Sequence, residues 1–425
     1  MSQSHIAILK IAFALSTVMG GLWLPHVAQA RSPLAISLAS CTSNIVVQNG
    51  NNSGAGSLPQ AVLDVCEEGT ITFDNSYTII LSKTLSLTKS MTIDGNGHSI
   101  IVDGNQAIQI FNIDLQKHVT LNNLTMQNGY TTGDGGGIHT QGALTLTNSI
   151  LRANWAADHG GGIYASGNGG STFISNTQII SNTGWDDGGG GLYAEQPITI
   201  INSAVNTNTT SDSGGAVLLA SGTHFFFKNS DFISNTNTQS EGGGLYLDGA
   251  IGTIQSSRIL SNTALGSEGA GLYLEGAIVY LLESEVAYNR AKDYGGGIDV
   301  YDENTHLSVT NSYIHHNVAE DIGGGIYSDG GVVTVTHSTL AYNFASNEGG
   351  AIYLLGRNGQ NILNNNTFSH NQATKGGAIY VNVSNLTSNP GSVFITMTHT
   401  TIVSNSATQG GGIYLRDAIN GNAHI

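Results

Sequence analysis

The chain has 425 residues, with 13 Lys and Arg against 29 Asp and Glu and a formal charge of −16 at pH 7. That balance repels nucleic acid and anionic membranes, so neither is an expected partner. Only 10% of the residues are charged, yet 40% are apolar, which excludes a disordered chain and leaves Asn, Ser, Thr and Gly to supply the polarity.

Residues 1–30 read as a secretory signal peptide. His5 and Lys10 give a basic start, Ile11 to Leu24 is apolar, and Ala28-Gln29-Ala30 is a small-x-small cleavage site. The competing reading, a membrane anchor, asks the same apolar run to span a bilayer, for which it is short. No membrane span is expected once the signal is removed. Lys10 leaves with it, so 12 Lys and Arg would face 29 Asp and Glu, a net of −17. A secreted or cell-surface location follows.

Residues 31–69 read as a linker and cap. Cys41 and Cys66 are the two cysteines, and in a secreted chain they read as one disulfide. The alternative takes "LASC", Leu38 to Cys41, as a lipidation box, although Arg31 and Pro33 separate it from the apolar run. Within the cap, Leu58, Ala61, Val62 and Val65 recur at helical spacing behind Ser57, a plausible N-cap. A short helix over 57–65 is expected, covering the open end of a repeat array.

Residues 70–425 hold the repeats, regular from 120 to 415. A Gly-Gly-[Gly/Ala]-[Ile/Leu/Val] core or its "GAGL" variant starts at Gly135, Gly160, Gly189, Gly214, Gly242, Gly269, Gly295, Gly323, Gly349, Gly376 and Gly410. A period near 27 residues is too short for a propeller blade and marks a solenoid. A second marker is an Asn at 128, 154, 182, 208, 235, 262, 289, 317, 343, 371 and 405, with an apolar residue three before it except at Thr125. Six before it stands a further polar position, from Asn122 and Asn148 to His337, Asn365 and His399. The intervening segments alternate with period 2, as in Leu245/Leu247 against Tyr246/Asp248, and read as short strands.

The expected fold is therefore all-β: a right-handed parallel β-helix, about three strands per coil, since parallel crossovers are overwhelmingly right-handed. Stacked coils turn the glycines into a column with positive φ and the asparagines into turn ladders. The C-terminal end is expected to be uncapped or truncated.

Two markers together resemble the polymorphic outer-membrane protein repeat, known by GGA-I and F-x-x-N motifs. "GGAIY" at Gly349 and Gly376, "FISN" at Phe232 and "FSHN" at Phe368 match it literally, and the likeness covers about 120–415. The "SGAGSLPQAV" start followed by "ITF" is similar to the cap of secreted pectin-lyase-like β-helix proteins. These resemblances imply a right-handed β-helix, a surface or extracellular site and a role in adhesion. That family usually carries a C-terminal membrane barrel, and none is present here, so outer-membrane attachment is left open. Pectin-lyase-like folds also host lyases and hydrolases of acidic polysaccharides, but fold alone is weak ground for activity.

The enzyme signatures of that group are sparse. Arg31, Arg152, Arg258, Arg290, Arg357 and Arg416 do not cluster, and of the polygalacturonase motifs only Asp186-Asp187 occurs. Four acidic residues are candidates for acid–base work: Glu275, Asp299, Asp302 and Asp329. Glu275 and Asp299 should lie one coil apart and two residues along, ~8 Å by strand geometry, within the ~6.5–9.5 Å of inverting glycosidases. The competing reading is a solvated acidic face. A column of outward tyrosines, Tyr164, Tyr193, Tyr246, Tyr273, Tyr327, Tyr353, Tyr380 and Tyr414, is interrupted by His139, Leu218 and Asp299. It reads as stacked β-formers or as an aromatic strip for sugar or protein contact. Finally, Asp134, Asp158, Asp187, Asp212, Glu241, Glu268, Asp293, Asp321 and Glu348 precede the glycine runs by one or two positions. In register they would form one ridge, a ligand set for calcium as cofactor, or else ordinary turn residues facing water. The function expected is non-catalytic display of a surface for a glycan or protein ligand. The alternative is a carbohydrate-active enzyme.

Overall fold

The computed structural model describes residues 41–425 apart from 168, 357–359, 384–392, 417–422 and 425. The signal segment 1–30, most of the LASC box and Arg357 lie outside the described residues.

The nine coils from His118 to Leu355 each run through four strands, and strands pair in parallel with their equivalents in neighbouring coils. The strand His118–Asn122 belongs to a sheet of 15 strands, Leu124–Gln127 to a sheet of 13, Tyr130–Thr131 to a sheet of 9 and Ile138–Thr140 to a second sheet of 13. These are called sheets 1 to 4 in that chain order. The third is built from two-residue strands, which the expectation of three per coil did not include. About 12 turns of roughly 27 residues result.

Alternation fills the centre. In Leu245–Asp248, Leu245 and Leu247 are fully buried while Tyr246 and Asp248 face outward and are half-buried. The inward residues form one continuous cluster from Val47 to Ile395. At the N-terminal end the helix Leu58–Asp64 lies over it, with Leu58, Ala61, Val62 and Val65 buried. The Ser57 hydroxyl caps the helix by accepting from the Gln60 N–H at 3.3 Å. Cys41 and Cys66 are disulfide-bonded across 25 residues, a closure that in chain-entropy terms contributes about 3 kcal/mol.

The glycine runs divide their work. The first glycine of every run has φ between +59° and +70°, a region where a side chain costs roughly 1–2 kcal/mol. The second and third meet the next coil: a Cβ on Gly243 would stand 2.5 Å from the Thr263 carbonyl carbon, and one on Gly244 2.6 Å from the Gly271 oxygen.

The repeated asparagines form a buried ladder. From Asn154 to Asn371 each backbone N–H donates to the side-chain oxygen of the next ladder Asn, as Asn235 does to Asn262 at 2.9 Å. The side-chain amide donates to that same oxygen and to a carbonyl of the preceding coil, for Asn262 the Phe232 oxygen at 2.9 Å.

The ladder corrects the register of the first repeat. The group donating to Asn154 is the N–H of Gly129, not of Asn128. Asn128 has φ 54° and is equivalent to Ala153, just as Asn123 is equivalent to Asn148. Met126, not Thr125, pairs with Leu151. The first unit lies one residue later than a match of Asn to Asn suggests, and its apparent exception disappears.

Candidate functional site

The carboxylates before the glycine runs do not make one ridge. Offsets of one and two residues place them in two adjacent rows, near enough that Asp293 of one raises Glu268 of the other. Asp134, Glu241, Glu268 and Glu348 stand directly before the first glycine, in the row bridged through Tyr294, Ile322, Glu348, Lys375 and Gln409. Asp158, Asp187, Asp212, Asp293 and Asp321 stand one residue earlier. Partners break both rows further: His159 bonds Asp134 at 2.8 Å, Lys375 bonds Glu348 at 3.2 Å, and Asn347 donates to Asp321 at 2.6 Å. Among the described residues no three His, Cys, Asp or Glu converge on a metal position.

The outer face of sheet 4 carries the tyrosine column. Tyr327, Tyr353, Tyr380 and Tyr414 stack at 5.1–5.2 Å with interplanar angles of 7–16°. Tyr246 and Tyr273 do so at 5.1 Å and 15°. Rings stacked on one another cover each other's faces, so this strip offers edges and hydroxyls outward. Tyr246 donates to Glu275 at 2.5 Å and Tyr164 to Glu195 at 3.0 Å.

The strand Ile298–Tyr301 interrupts the column. Asp299 pairs in register with Tyr273 on one side and Tyr327 on the other. A carboxylate side chain is shorter than a phenol, so a ring-sized slot remains above it. Two tyrosines of the same coil fill that slot. Tyr301 stacks on Tyr273 at 5.9 Å, and Tyr294 stacks on Tyr327 at 4.9 Å. Asp299 is left with no exposed surface, and neither carboxylate oxygen has a hydrogen-bond partner.

The electrostatics follow from that enclosure. Burial, then the charges of Glu268, Asp329 and Glu241, hold the Asp299 carboxyl well above the usual range. Burial, then Glu241, Asp293 and Asp329, push Glu268 up to about 7. Burial first and the Asp299 charge second raise the hydroxyls of Tyr273 and Tyr327. At the N-terminal end of the face the same chemistry is satisfied. Burial raises Asp134, but its bonds from His159 prevail and lower it, while His159 is raised by its bond to Asp134.

The four candidate acids therefore separate. Asp299 and Asp329 come together, joined by Glu268. Glu275 pairs with Tyr301 and is tied to Tyr246. Asp302 is a turn residue at φ 69° whose oxygen accepts from the Asn304 and Thr305 N–H groups at 2.8 and 3.1 Å.

A second cluster, on sheet 2, is absent from the expectations above. Tyr288, His316, Tyr342 and His370 hold the position before the ladder Asn on consecutive coils, all with positive φ. Their rings stack at 4.7–5.0 Å. The buried His315 bonds Glu285 through Nε2 at 2.9 Å and His316 through Nδ1 at 2.8 Å. Farther along the sheet a groove of about 660 Å³ is lined by Ser256, Arg258, Glu283, Tyr313 and His337. Arg258 is already paired to Asp231 at 2.6 and 2.8 Å. The sequence signal for this cluster was the change from Ala, Ser and Thr to Tyr and His at that position.

Residues 243–423 match the family model described as the right handed beta helix region. The chain is a right-handed parallel β-helix. The match covers the coils that hold Glu268, Asp299 and the C-terminal tyrosine stack. No curated protein matches the chain. No helix among the described residues is long and apolar enough to cross a membrane.

Proposed function

We propose that the protein is a secreted or cell-surface β-helix that displays its tyrosine face to a glycan or protein ligand without turning the ligand over. The observation that carries this reading is the closure of Asp299 beneath four rings. The fully buried carboxyl on the face is sealed from a polymer lying across it, Glu275 is tied to a tyrosine, and Asp302 holds its own turn. A disulfide-stapled cap, an acidic surface and the apolar N-terminal segment support an extracellular location. The repeats are proposed to be of the polymorphic outer-membrane protein type. In support, the GGA-I glycines hold the positive-φ column and the F-x-x-N asparagines hold the buried ladder.

One observation favours catalysis instead. Glu268, raised to about 7 beside a raised Asp299, is a carboxyl that holds its proton near neutral pH, as a general acid requires. Biolayer interferometry against immobilised glycans and matrix proteins, with parallel assay of pectin and polygalacturonate for unsaturated or reducing ends, decides between the two. Saturable binding without product supports recognition. Turnover that is lost in Glu268→Gln establishes the enzyme and overturns the recognition reading.

A further inference from the structure

We propose that the break in the tyrosine column is a cage for an organic ammonium group, with Asp299 as its floor and Tyr273, Tyr294, Tyr301 and Tyr327 as its walls. The proposal deepens the recognition reading by naming the chemistry of its ligand.

Four observations point to a cation. Every other coil from Tyr246 to Tyr414 fills this column with one tyrosine, whereas the Asp299 coil brings two rings to the slot from its flanks. The Asp299 carboxylate is completely buried, and neither oxygen receives a hydrogen bond. A structural aspartate would be expected to hold a donor there, because an unpartnered buried acceptor costs about 1–3 kcal/mol. Glu268 and Asp329 add their charges to the same pocket. Burial and the neighbouring acids favour the protonated Asp299 carboxyl in the empty slot; a cation between the rings would offset both effects, so that ring quadrupoles and an ionised carboxylate hold it together.

The kind of cation follows from the donor set. Metal binding needs several oxygens at one point, and no such group of three exists among the described residues. The two Asp299 oxygens are one carboxylate's worth of acceptors, fewer than a metal ion's coordination shell requires. Ring faces suit a methylated or primary ammonium head, whose charge is spread over a surface that binds by contact. Tyr301 is 38% exposed, against 5% for Tyr273 and 8% for Tyr327, so it is the wall that opens. Its displacement from Tyr273 admits the head group, and the ring then closes over it.

The test is titration of the full chain with tetramethylammonium and with choline, each against sodium chloride at equal ionic strength, followed by tyrosine fluorescence and calorimetry. Saturable binding is expected for the ammonium salts and not for sodium. Asp299→Leu should fold, since Leu218 holds the equivalent position in another coil, and should weaken binding at least tenfold. Tyr301→Leu should weaken it several-fold while leaving the circular dichroism unchanged. Calcium competing more tightly than tetramethylammonium, ammonium binding no better than sodium, or undiminished binding in Asp299→Leu would each overturn the cage. Intact binding of the whole protein to a glycan or protein surface without ammonium binding would overturn the cage alone. Ammonium binding with polysaccharide turnover would overturn the recognition reading alone.

Discussion

The Asn ladder and the tyrosine column both bury polar atoms on successive coils, and they treat them in opposite ways. In the ladder each amide from Asn182 to Asn343 is fully buried and bonded to the coils on either side. In the column the pattern breaks at Asp299, whose carboxyl is equally buried and bonded to nothing. A repeat that only had to stack would fill both columns with one residue type. The ladder is what holding coils together requires. The break has no such use, and it is where ligand chemistry can reside.

The largest effect should come from breaking the ladder. Asn262→Ala removes two accepted and two donated hydrogen bonds; the Asn235 N–H loses its acceptor, while the Asn235 amide keeps the Val205 carbonyl and the Asn289 oxygen keeps the backbone N–H of residue 262. At about 1 kcal/mol for each lost bond, the cost is roughly 4 kcal/mol. Urea unfolding measures it. A loss under about 1 kcal/mol would show that water replaces the ladder.

The glycines give the next largest effect. Gly243→Ala forces a Cβ against the Thr263 backbone and should cost about 2–3 kcal/mol. Gly222→Ala has φ +81° but meets nothing within 4 Å, so only the backbone penalty of about 1–2 kcal/mol remains. Equal thermal shifts in the two variants would mean that coil contact contributes nothing.

Asp299→Leu should have the opposite sign to Asn262→Ala. Replacing an unpartnered buried carboxyl by an apolar side chain stabilises, by about 1 kcal/mol. A melting temperature that falls instead would show that Asp299 is bonded in solution and would end the comparison with the ladder.

These differences separate what the sequence reveals from what it hides. Strands, coil length, core and ladder were legible because each repeats, and repetition at a fixed spacing has one physical solution. The first unit misled because Asn122-Asn123 and Asn128-Gly129 each offer two alignments, and only the hydrogen bonds choose. The Ser149, Thr177, Ser203 and Ser230 hydroxyls form a second buried ladder, each accepting from the N–H of the coil before. The single ridge failed because offsets of one and two residues divide the carboxylates between two rows, and His159, Lys375 and Asn347 bond members of them. Glu268 was legible only as a turn carboxylate, since its partners Asp299 and Asp329 come from other coils.

The smallest effect expected is in pH dependence, and it contrasts the two ends of the face. Glu268 has its folded pKa raised to about 7. Between the unfolded value near 4.5 and that folded value, the native state holds a proton that the unfolded chain has lost. Its stabilising contribution is complete below about 4.5 and declines as pH rises through about 7. The groups facing it are Glu241, Asp293, Asp329 and Asp299, all acidic, so none reverses the sign. The Asp134–His159 pair behaves differently. Asp134 is lowered, so its contribution is lost only as pH falls through that lowered value; His159 is raised, so its contribution is lost as pH rises past 6.5 and through that raised value. Both groups are partly exposed, and solvent keeps their effect small. Melting temperatures from pH 5 to 8 should therefore decline, less steeply in Glu268→Gln and less steeply again when His159→Gln is added. A slope unchanged by Glu268→Gln would mean that Glu268 is hydrated in solution, and that the charge cluster around Asp299 is more open than its packing.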